Sequence, residues 1–138
     1  MTRAEWLAFL DAPVRPAMLA NTRKDGRPHL APVWYALDGE TLVFTTGADT
    51  VKGRSIRRDG RVSLCVQDDQ PPFSFVTVSG SAEWFDEVSD VRHWAGIIGG
   101  RYMGADQAEA FGKRNAVPGE LLIRLRPDKI VALAGISE

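Results

Sequence analysis

Residues 16–47 read PAMLANTRKDGRPHLAPVWYALDGETLVFTTG, and this stretch decides the fold class. Its three β-like runs are separated by Asp25-Gly26 and Asp38-Gly39, which are turn sequences typical of hairpins. Turns this short cannot contain the crossover that parallel strands require. We therefore predict an antiparallel meander. Pro32 marks an edge or irregular position, because proline has no N–H to donate to a strand ladder.

Helices and further strands flank this stretch. Thr2 and Glu5 fit a capping box at the start of a short helix that ends before Pro13. Thr50 can cap a second helix, VKGRSIRR, and residues 89–102 and 106–115 have helical patterns. The runs RVSLCVQ, FSFVTVSGSAEWF, ELLIRLRP and KIVALA are predicted strands. These elements predict a mainly β fold with helices (α+β), a six-stranded antiparallel β-barrel.

Composition limits the possible functions. The 138 residues predict a single domain over 1–138, with a net charge of −1, 25% charged and 44% hydrophobic residues. This balance disfavours a general nucleic-acid binder. Cys65, His29 and His93 are too few for a Cys/His zinc site, and we expect no metal. The N-terminal apolar run is too short for a signal peptide or membrane span, so we expect a cytoplasmic protein.

Positive charge is concentrated in residues 45–61, TTGADTVKGRSIRRDGR. Between Lys52 and Arg61 there are five basic residues and one acid. Threonine hydroxyls and a helix start adjoin this charge, a combination that can bind phosphate. Thr50 and Arg54 share a helix face, and the long side chain of Lys52 can bend back toward it. Gly53 would allow close approach of a ligand or of neighbouring backbone.

Two other interpretations of this basic segment stay open. It can be an exposed helix whose arginines pair with a downstream acidic patch, or a nucleic-acid contact without a recognised motif. The patch consists of Glu83, Asp86, Glu87 and Asp90.

The strand PHLAPVWYAL also has two interpretations. Trp34 and Tyr35 project to opposite faces, so the strand either borders a flat ring or is a sheet edge with two locally packed aromatics. No G-x-G-x-x-G motif follows a strand and no G-x-S-x-G motif is present. Any difficult reaction would therefore depend on a cofactor.

Several short motifs follow one another in a fixed order over most of the chain. They are G-R-P-H, P-V-W, T-x-K-x-R, R-x-D-x-R and FVTVSGSAEW. In this order the chain resembles the pyridoxamine 5′-phosphate oxidase-like flavin and deazaflavin split-barrel superfamily. It is most similar to the short bacterial branch of probable coenzyme F-420-dependent enzymes. The resemblance implies a split β-barrel homodimer with two cofactor sites at the subunit interface.

The resemblance also implies roles for individual residues. Arg57 and Arg58 would attract the poly-glutamyl tail of F-420, which FMN lacks. The other cofactor-binding positions would be Pro32, Val33 and Trp34 along the ring, Thr45, Thr46 and Gly47 at the ring edge or ribityl chain, and Thr50, Lys52 and Arg54 at the phosphate.

Some positions depart from the family pattern. Ser55-Ile56 stands where the family often has Asn-Leu, and Asp59-Gly60-Arg61 where it often has Asn-Pro-Arg. Both changes affect helix packing more than ligand chemistry. The C-terminal substrate-binding extension of true pyridoxamine phosphate oxidases has no counterpart, which disfavours vitamin B6 oxidation.

The predicted function is an F-420-dependent oxidoreductase that transfers a hydride between the deazaflavin and a small molecule with an activated double bond. One alternative is an FMN-dependent reductase or oxidase on the same fold. Another is a non-catalytic protein that binds a flavin, a deazaflavin or a tetrapyrrole breakdown product. No catalytic residue is assigned, although Tyr35 or Tyr102 would be candidate proton donors if either reached the site.

Overall fold

The structure is a computed structural model that describes residues 1–138. Four α-helices and one 3₁₀ turn accompany seven strands. The helices are α1 Arg3–Asp11, α2 Val51–Arg58, α3 Val88–Met103 and α4 Ala108–Asn115, with the 3₁₀ turn at Ala105–Gln107. The strands are β1 Ala17–Thr22, β2 Pro28–Val33, β3 Ala36–Asp38, β4 Thr41–Gly47, β5 Arg61–Gln67, β6 Phe75–Phe85 and β7 Glu120–Leu133.

All strand pairs in the single sheet are antiparallel, as predicted, and the strand order is β2-β1-β5-β6-β7-β4-β3. The hairpins β1–β2 and β3–β4 are confirmed, but β1 also pairs with β5 and β4 with β7, so the sheet is not a simple meander. The sheet has seven strands, and a six-stranded count is not confirmed. Trp34 and Tyr35 divide one predicted strand into β2 and β3, and β7 joins the two C-terminal runs.

The sheet must be curled, because its two edge strands are consecutive in the chain. Only Trp34 and Tyr35 separate the end of β2 from the start of β3. Three Cα steps span at most about 11 Å, whereas the edges of a flat seven-stranded sheet would lie about 29 Å apart. The edges therefore approach each other at these two residues without pairing in the ladder, which makes the barrel a split one. Pro32 lies on the edge strand β2, as expected.

The inner face of the curled sheet surrounds one apolar core. On β5, Val62, Leu64 and Val66 are buried and alternate with more exposed side chains. The core cluster contains 18 buried residues, including Trp6 and Leu10 of α1, which cover one side of it. Each fully buried aliphatic side chain stabilises the fold by roughly 1.5–3 kcal/mol relative to exposure.

The helix starts follow from local sequence. In the confirmed capping box of α1, the Glu5 amide donates to Thr2 Oγ1 at 3.2 Å and the Thr2 amide donates to Glu5 Oε1 at 2.8 Å. The bond from the Thr2 amide, followed by the contribution of the Thr2 side chain, lowers the pKa of the Glu5 carboxyl, since it favours the charged form. The helical pattern of residues 89–102 is confirmed by α3, on which Val91, Ala95 and Ile98 are buried. None of the helices is long and apolar enough to cross a membrane.

Candidate functional site

A cavity of about 670 Å³ lies where the ends of β2 and β4 meet the three later helices. Most of the residues that we associate with a cofactor line this one cavity, although they come from three different elements. They are Pro32, Val33, Trp34, Thr45, Thr46, Gly47, Thr50 and Lys52. Arg54, Arg57 and Arg58 do not line it.

The start of α2 is held to the end of β4 by threonine hydroxyls. As predicted, Thr50 caps α2, and its Oγ1 accepts from the Gly53 amide at 3.1 Å. The same hydroxyl donates to the Gly47 carbonyl at 2.8 Å. Its single proton is thereby used, so Thr46 Oγ1, at 3.1 Å, is the donor between the two threonines. This chain of bonds fixes the helix N-terminus at the cavity wall.

Gly53 also allows α2 to pack closely against the end of β4. A Cβ atom built on Gly53 would lie 2.1 Å from the Gly47 carbonyl oxygen and 3.0 Å from the Cα of Ala48. The close approach that we expected at Gly53 is therefore made by backbone of the strand end. Without a side chain here, α2 can bring Lys52 beside Gly47.

Lys52 is the cation of this part of the cavity, and it forms no ion pair within the chain. Glu120 is the register partner of Gly47 on β7, and burial raises the pKa of its carboxyl, an effect partly opposed by the charge of Lys52. The charge of Lys52 also affects the pKa of His29 on β2. Its pKa is lowered by burial first and then by the charges of Arg23 and Lys52. An anion bound here would offset positive charge that the protein leaves unpaired.

Two arginines of α2 contact backbone outside the cavity. Arg57 donates to the Ala48 carbonyl at 2.8 Å, and Arg58 donates to the Thr22 carbonyl at 2.6 Å. Neither arginine forms an ion pair with the acidic patch, and Glu83 of that patch pairs with Arg126. The interpretation of α2 as a helix neutralised by those acids is therefore wrong.

The remaining wall of the cavity comes from α3 and α4, and sequence reasoning missed it. Gly99 lets the helices approach, since a Cβ atom there would lie 2.3 Å from the Cβ of Phe111. Helical periodicity identified the buried face of α3 but gave no indication that part of it borders a cavity. The missed lining residues are Ala95, Ile98, Gly99 and Met103 of α3, and Phe111, Arg114 and Asn115 of α4.

Aromatic side chains build the end of the cavity at the β2–β3 connection. Trp34 is 39% exposed and Tyr35 is fully buried, so the two project to opposite faces as predicted. The indole of Trp34 stacks on Tyr102, and Phe111 is tilted against it with ring centroids 5.9 Å apart. Because Tyr102 covers one face of the indole and Tyr102 is not a lining residue, the cavity borders the rest of the Trp34 side chain.

Neither tyrosine is placed as a proton donor. The Tyr35 hydroxyl donates to the Leu10 carbonyl at 2.6 Å, and burial raises its pKa to about 12. The Tyr102 hydroxyl donates to the Arg15 carbonyl at 2.7 Å, and burial raises its pKa also. Both hydroxyls are outside the cavity lining. Their bonds tie α1 and α3 to the β2–β3 connection and thereby shape the site.

Comparison with solved structures supports the assignment of the fold. A conserved hypothetical protein from Mycobacterium tuberculosis is 26% identical, with a TM-score of 0.87 over 99% of this chain and 87% of the other. An F-420 reductase is 27% identical, with a TM-score of 0.68 over 90% of this chain and 94% of the other. The heme storage protein of Vibrio cholerae is 15% identical over 100% of each chain, with a TM-score of 0.75, which is a likeness of fold alone.

Sequence comparison gives the family. No curated protein sequence matches the chain. The family model described as pyridoxamine 5′-phosphate oxidase matches residues 2–134, which is nearly the whole chain. The chain thus belongs to the pyridoxamine 5′-phosphate oxidase family, within its split-barrel superfamily.

Proposed function

We propose that the protein is an F-420-dependent oxidoreductase that acts on a small molecule with an activated double bond. One observation carries the proposal: a single cavity combines an unpaired ammonium beside threonine hydroxyls with a flat, fixed indole. A phosphate and a tricyclic ring on one molecule would use both features. The similarity to an F-420 reductase over 90% of this chain supports the deazaflavin over other ligands.

The residues at the start of α2 fit a phosphate. Lys52 would form a charge-assisted contact, and the helix N-terminus adds a favourable dipole. Thr50 already uses its proton on Gly47, so it would hold the helix start while Lys52 faces the anion. Arg54 lies outside the cavity lining, so it would add only longer-range attraction for the phosphate. Arg57 and Arg58 would provide long-range attraction for a poly-glutamyl tail, a feature that favours F-420 over FMN.

The aromatic end of the cavity fits a flat ring. Pro32, Val33 and Trp34 would border the ring, and Thr45, Thr46 and Gly47 would meet its edge or the ribityl chain. When bound, the deazaflavin supplies the hydride chemistry. The protein would orient the ring, leave one face open to the acceptor and exclude water with the apolar residues of α3. Solvent would serve as the proton source, since both tyrosine hydroxyls are engaged outside the cavity.

We also propose a homodimer, formed through the outer face of the sheet. Met18, Cys65, Thr77 and Val131 occupy one row across four strands of that face, and Met18 and Val131 are 41% and 39% exposed. Pro32 is the next member of this row and also lines the cavity. A second copy covering this face would therefore reach the cavity and complete its wall.

Light scattering coupled to gel filtration tests the dimer. The wild-type protein is expected to have twice the mass of one chain, and Val131→Glu is expected to give monomers because it places charge in the row. Val88→Glu is the matched control, since Val88 is 42% exposed but lies at the start of α3. A monomeric wild type, or a dimer that survives Val131→Glu, would contradict the proposed interface.

A fluorescence titration with F-420, run beside an identical titration with FMN, tests the cofactor. Saturable F-420 binding at micromolar or lower concentration, with weak FMN binding, is the expected result. The reverse preference would assign the protein to FMN chemistry. Tight F-420 binding without turnover over a broad panel of acceptors would support a non-catalytic carrier instead.

A further inference from the structure

The cavity contains a second cation that the family resemblance does not assign. Arg114 lies in the last turn of α4 and lines the same cavity as Lys52. It is exposed and forms no ion pair within the chain. Asn115, the next residue in the chain, also lines the cavity. Two adjacent polar side chains are thus available to a ligand.

Contacts link Arg114 to the aromatic end of the cavity. Its guanidinium carbon lies 5.6 Å from the centroid of the Phe111 ring, a cation–π distance. Phe111 in turn is tilted against Trp34. Phe111 packs directly on α3 at Gly99, where an added Cβ atom would lie 2.3 Å from the Phe111 Cβ. Arg114 is therefore in contact with the aromatic wall that we assign to the flat ring. Lys52, in contrast, lies on α2 at the anion-binding end of the cavity.

We propose that Arg114 is a specificity-determining residue that binds a carboxylate of the acceptor molecule. The substrate class is then a small, flat carboxylic acid whose double bond is conjugated and activated. Asn115 would donate a further hydrogen bond to the same group. That the bound carboxylic acid is the hydride acceptor rests on the proposed function. The contact between Arg114 and a carboxylate can itself be tested without the cofactor.

A different role for Arg114 would be to stabilise the helix. Basic side chains in the last turn interact favourably with the helix dipole, and Lys113 beside it does the same. Lys113 differs in two respects that make it a control. It pairs with Glu109 at 3.1 Å, and it does not line the cavity. Removal of either charge weakens the interaction with the helix dipole, and removal of Lys113 also breaks its ion pair, whereas only Arg114 lines the cavity.

The test uses trans-cinnamate and its neutral isostere cinnamamide as probes, with binding to the cofactor-free protein measured by isothermal titration calorimetry. The wild type is expected to prefer cinnamate by about tenfold, the effect of one charge-assisted contact. Lys113→Gln is expected to keep this preference, and Arg114→Gln to lose it. Equal binding of the two probes to the wild type, no cinnamate binding, or a preference that survives Arg114→Gln would overturn the proposal.

A titration of the same variants with F-420 separates the inference from the proposed function. Arg114→Gln is expected to bind F-420 within about twofold of the wild type. A tenfold loss of F-420 affinity would assign Arg114 to the cofactor and overturn its role toward the acceptor. If the wild type binds no F-420, the proposed function fails while the cinnamate result still stands. Thermal unfolding midpoints of both variants close to that of the wild type would exclude a folding defect.

Discussion

The indole of Trp34 and the phenol ring of Tyr102 lie face to face, with centroids 4.9 Å apart and planes inclined by 3°. Tyr102 is itself held from two directions, because its hydroxyl donates to the Arg15 carbonyl and accepts from the Tyr35 amide at 3.3 Å. A residue of α3 thus orients an aromatic wall that belongs to the β2–β3 connection. The flat surface in the cavity is produced by contacts between segments that are distant in the chain.

Tyr102→Leu tests this relationship. The change removes the stacked pair and both hydroxyl bonds, so we expect a loss of about 2 kcal/mol in the free energy of unfolding. F-420 affinity should fall about tenfold because Trp34 is no longer held in one orientation. Tyr102→Phe keeps the stacked ring and is expected to retain most of the affinity. Urea denaturation and F-420 fluorescence titration measure the two effects, and undiminished binding by Tyr102→Leu would contradict the role of the stack.

Lys52→Ala tests the anion-binding end of the cavity. Loss of the charge-assisted contact is expected to weaken F-420 binding by roughly 1.5–3 kcal/mol. Arg57→Ala is the matched control, since Arg57 carries the same charge on the same helix but lies outside the lining. For this control we expect a smaller decrease in F-420 affinity, and one that depends on salt concentration. Equal losses for the two variants would indicate only a general effect of charge.

Gly53→Ala tests the close approach of α2 to β4. An alanine normally favours a helix by up to about 1 kcal/mol over glycine. Here the added carbon would lie 2.1 Å from the Gly47 carbonyl oxygen, so we expect a net destabilisation of about 1–3 kcal/mol. Arg54→Ala in the same helix is the control and should be nearly neutral. Chemical denaturation compares the two variants, and a stabilised Gly53→Ala protein would exclude the steric explanation.

Tyr35 predicts how stability depends on pH in the alkaline range. Its folded-state pKa of about 12 is above the unfolded value of 10.0, so the folded protein retains the proton longer. The contribution of Tyr35 is complete below pH 10 and is lost as the pH rises toward 12, with a slope of at most about 1.4 kcal/mol per pH unit. Tyr35→Phe should flatten this part of the stability curve, which urea denaturation at a series of pH values measures. An unchanged slope in the variant would show that other groups cause the alkaline loss.

Much of the fold could be predicted because the relevant signals are local. The Thr2–Glu5 capping box, the Thr50 cap and the Asp-Gly turns each depend on residues within a few positions of one another. The strand count was less predictable. Whether a β-like run is interrupted, as at Trp34 and Tyr35, depends on the partners that its backbone finds across the sheet.

The residues of the candidate site also fall into a part that could be predicted from the sequence and a part that could not. The positions from Pro32 to Lys52 could be proposed from the family resemblance, whose motifs cover this stretch of the sequence. The wall of α3 and α4 could not, because the side chains of Phe111 and Arg114 reach the cavity only through helix packing at Gly99.

By itself, then, the sequence determined the antiparallel fold class, the helix caps and the concentration of positive charge beside a helix start. The tertiary structure alone decided that the sheet curls until its edges approach each other at Trp34. It also decided that α2 packs against Gly47 at Gly53, and that Arg114 lines the same cavity as Lys52. The physical reason is the range of the interactions. Caps and turns are set by hydrogen bonds between near neighbours, whereas a cavity is shaped by packing among segments that only the complete fold brings together.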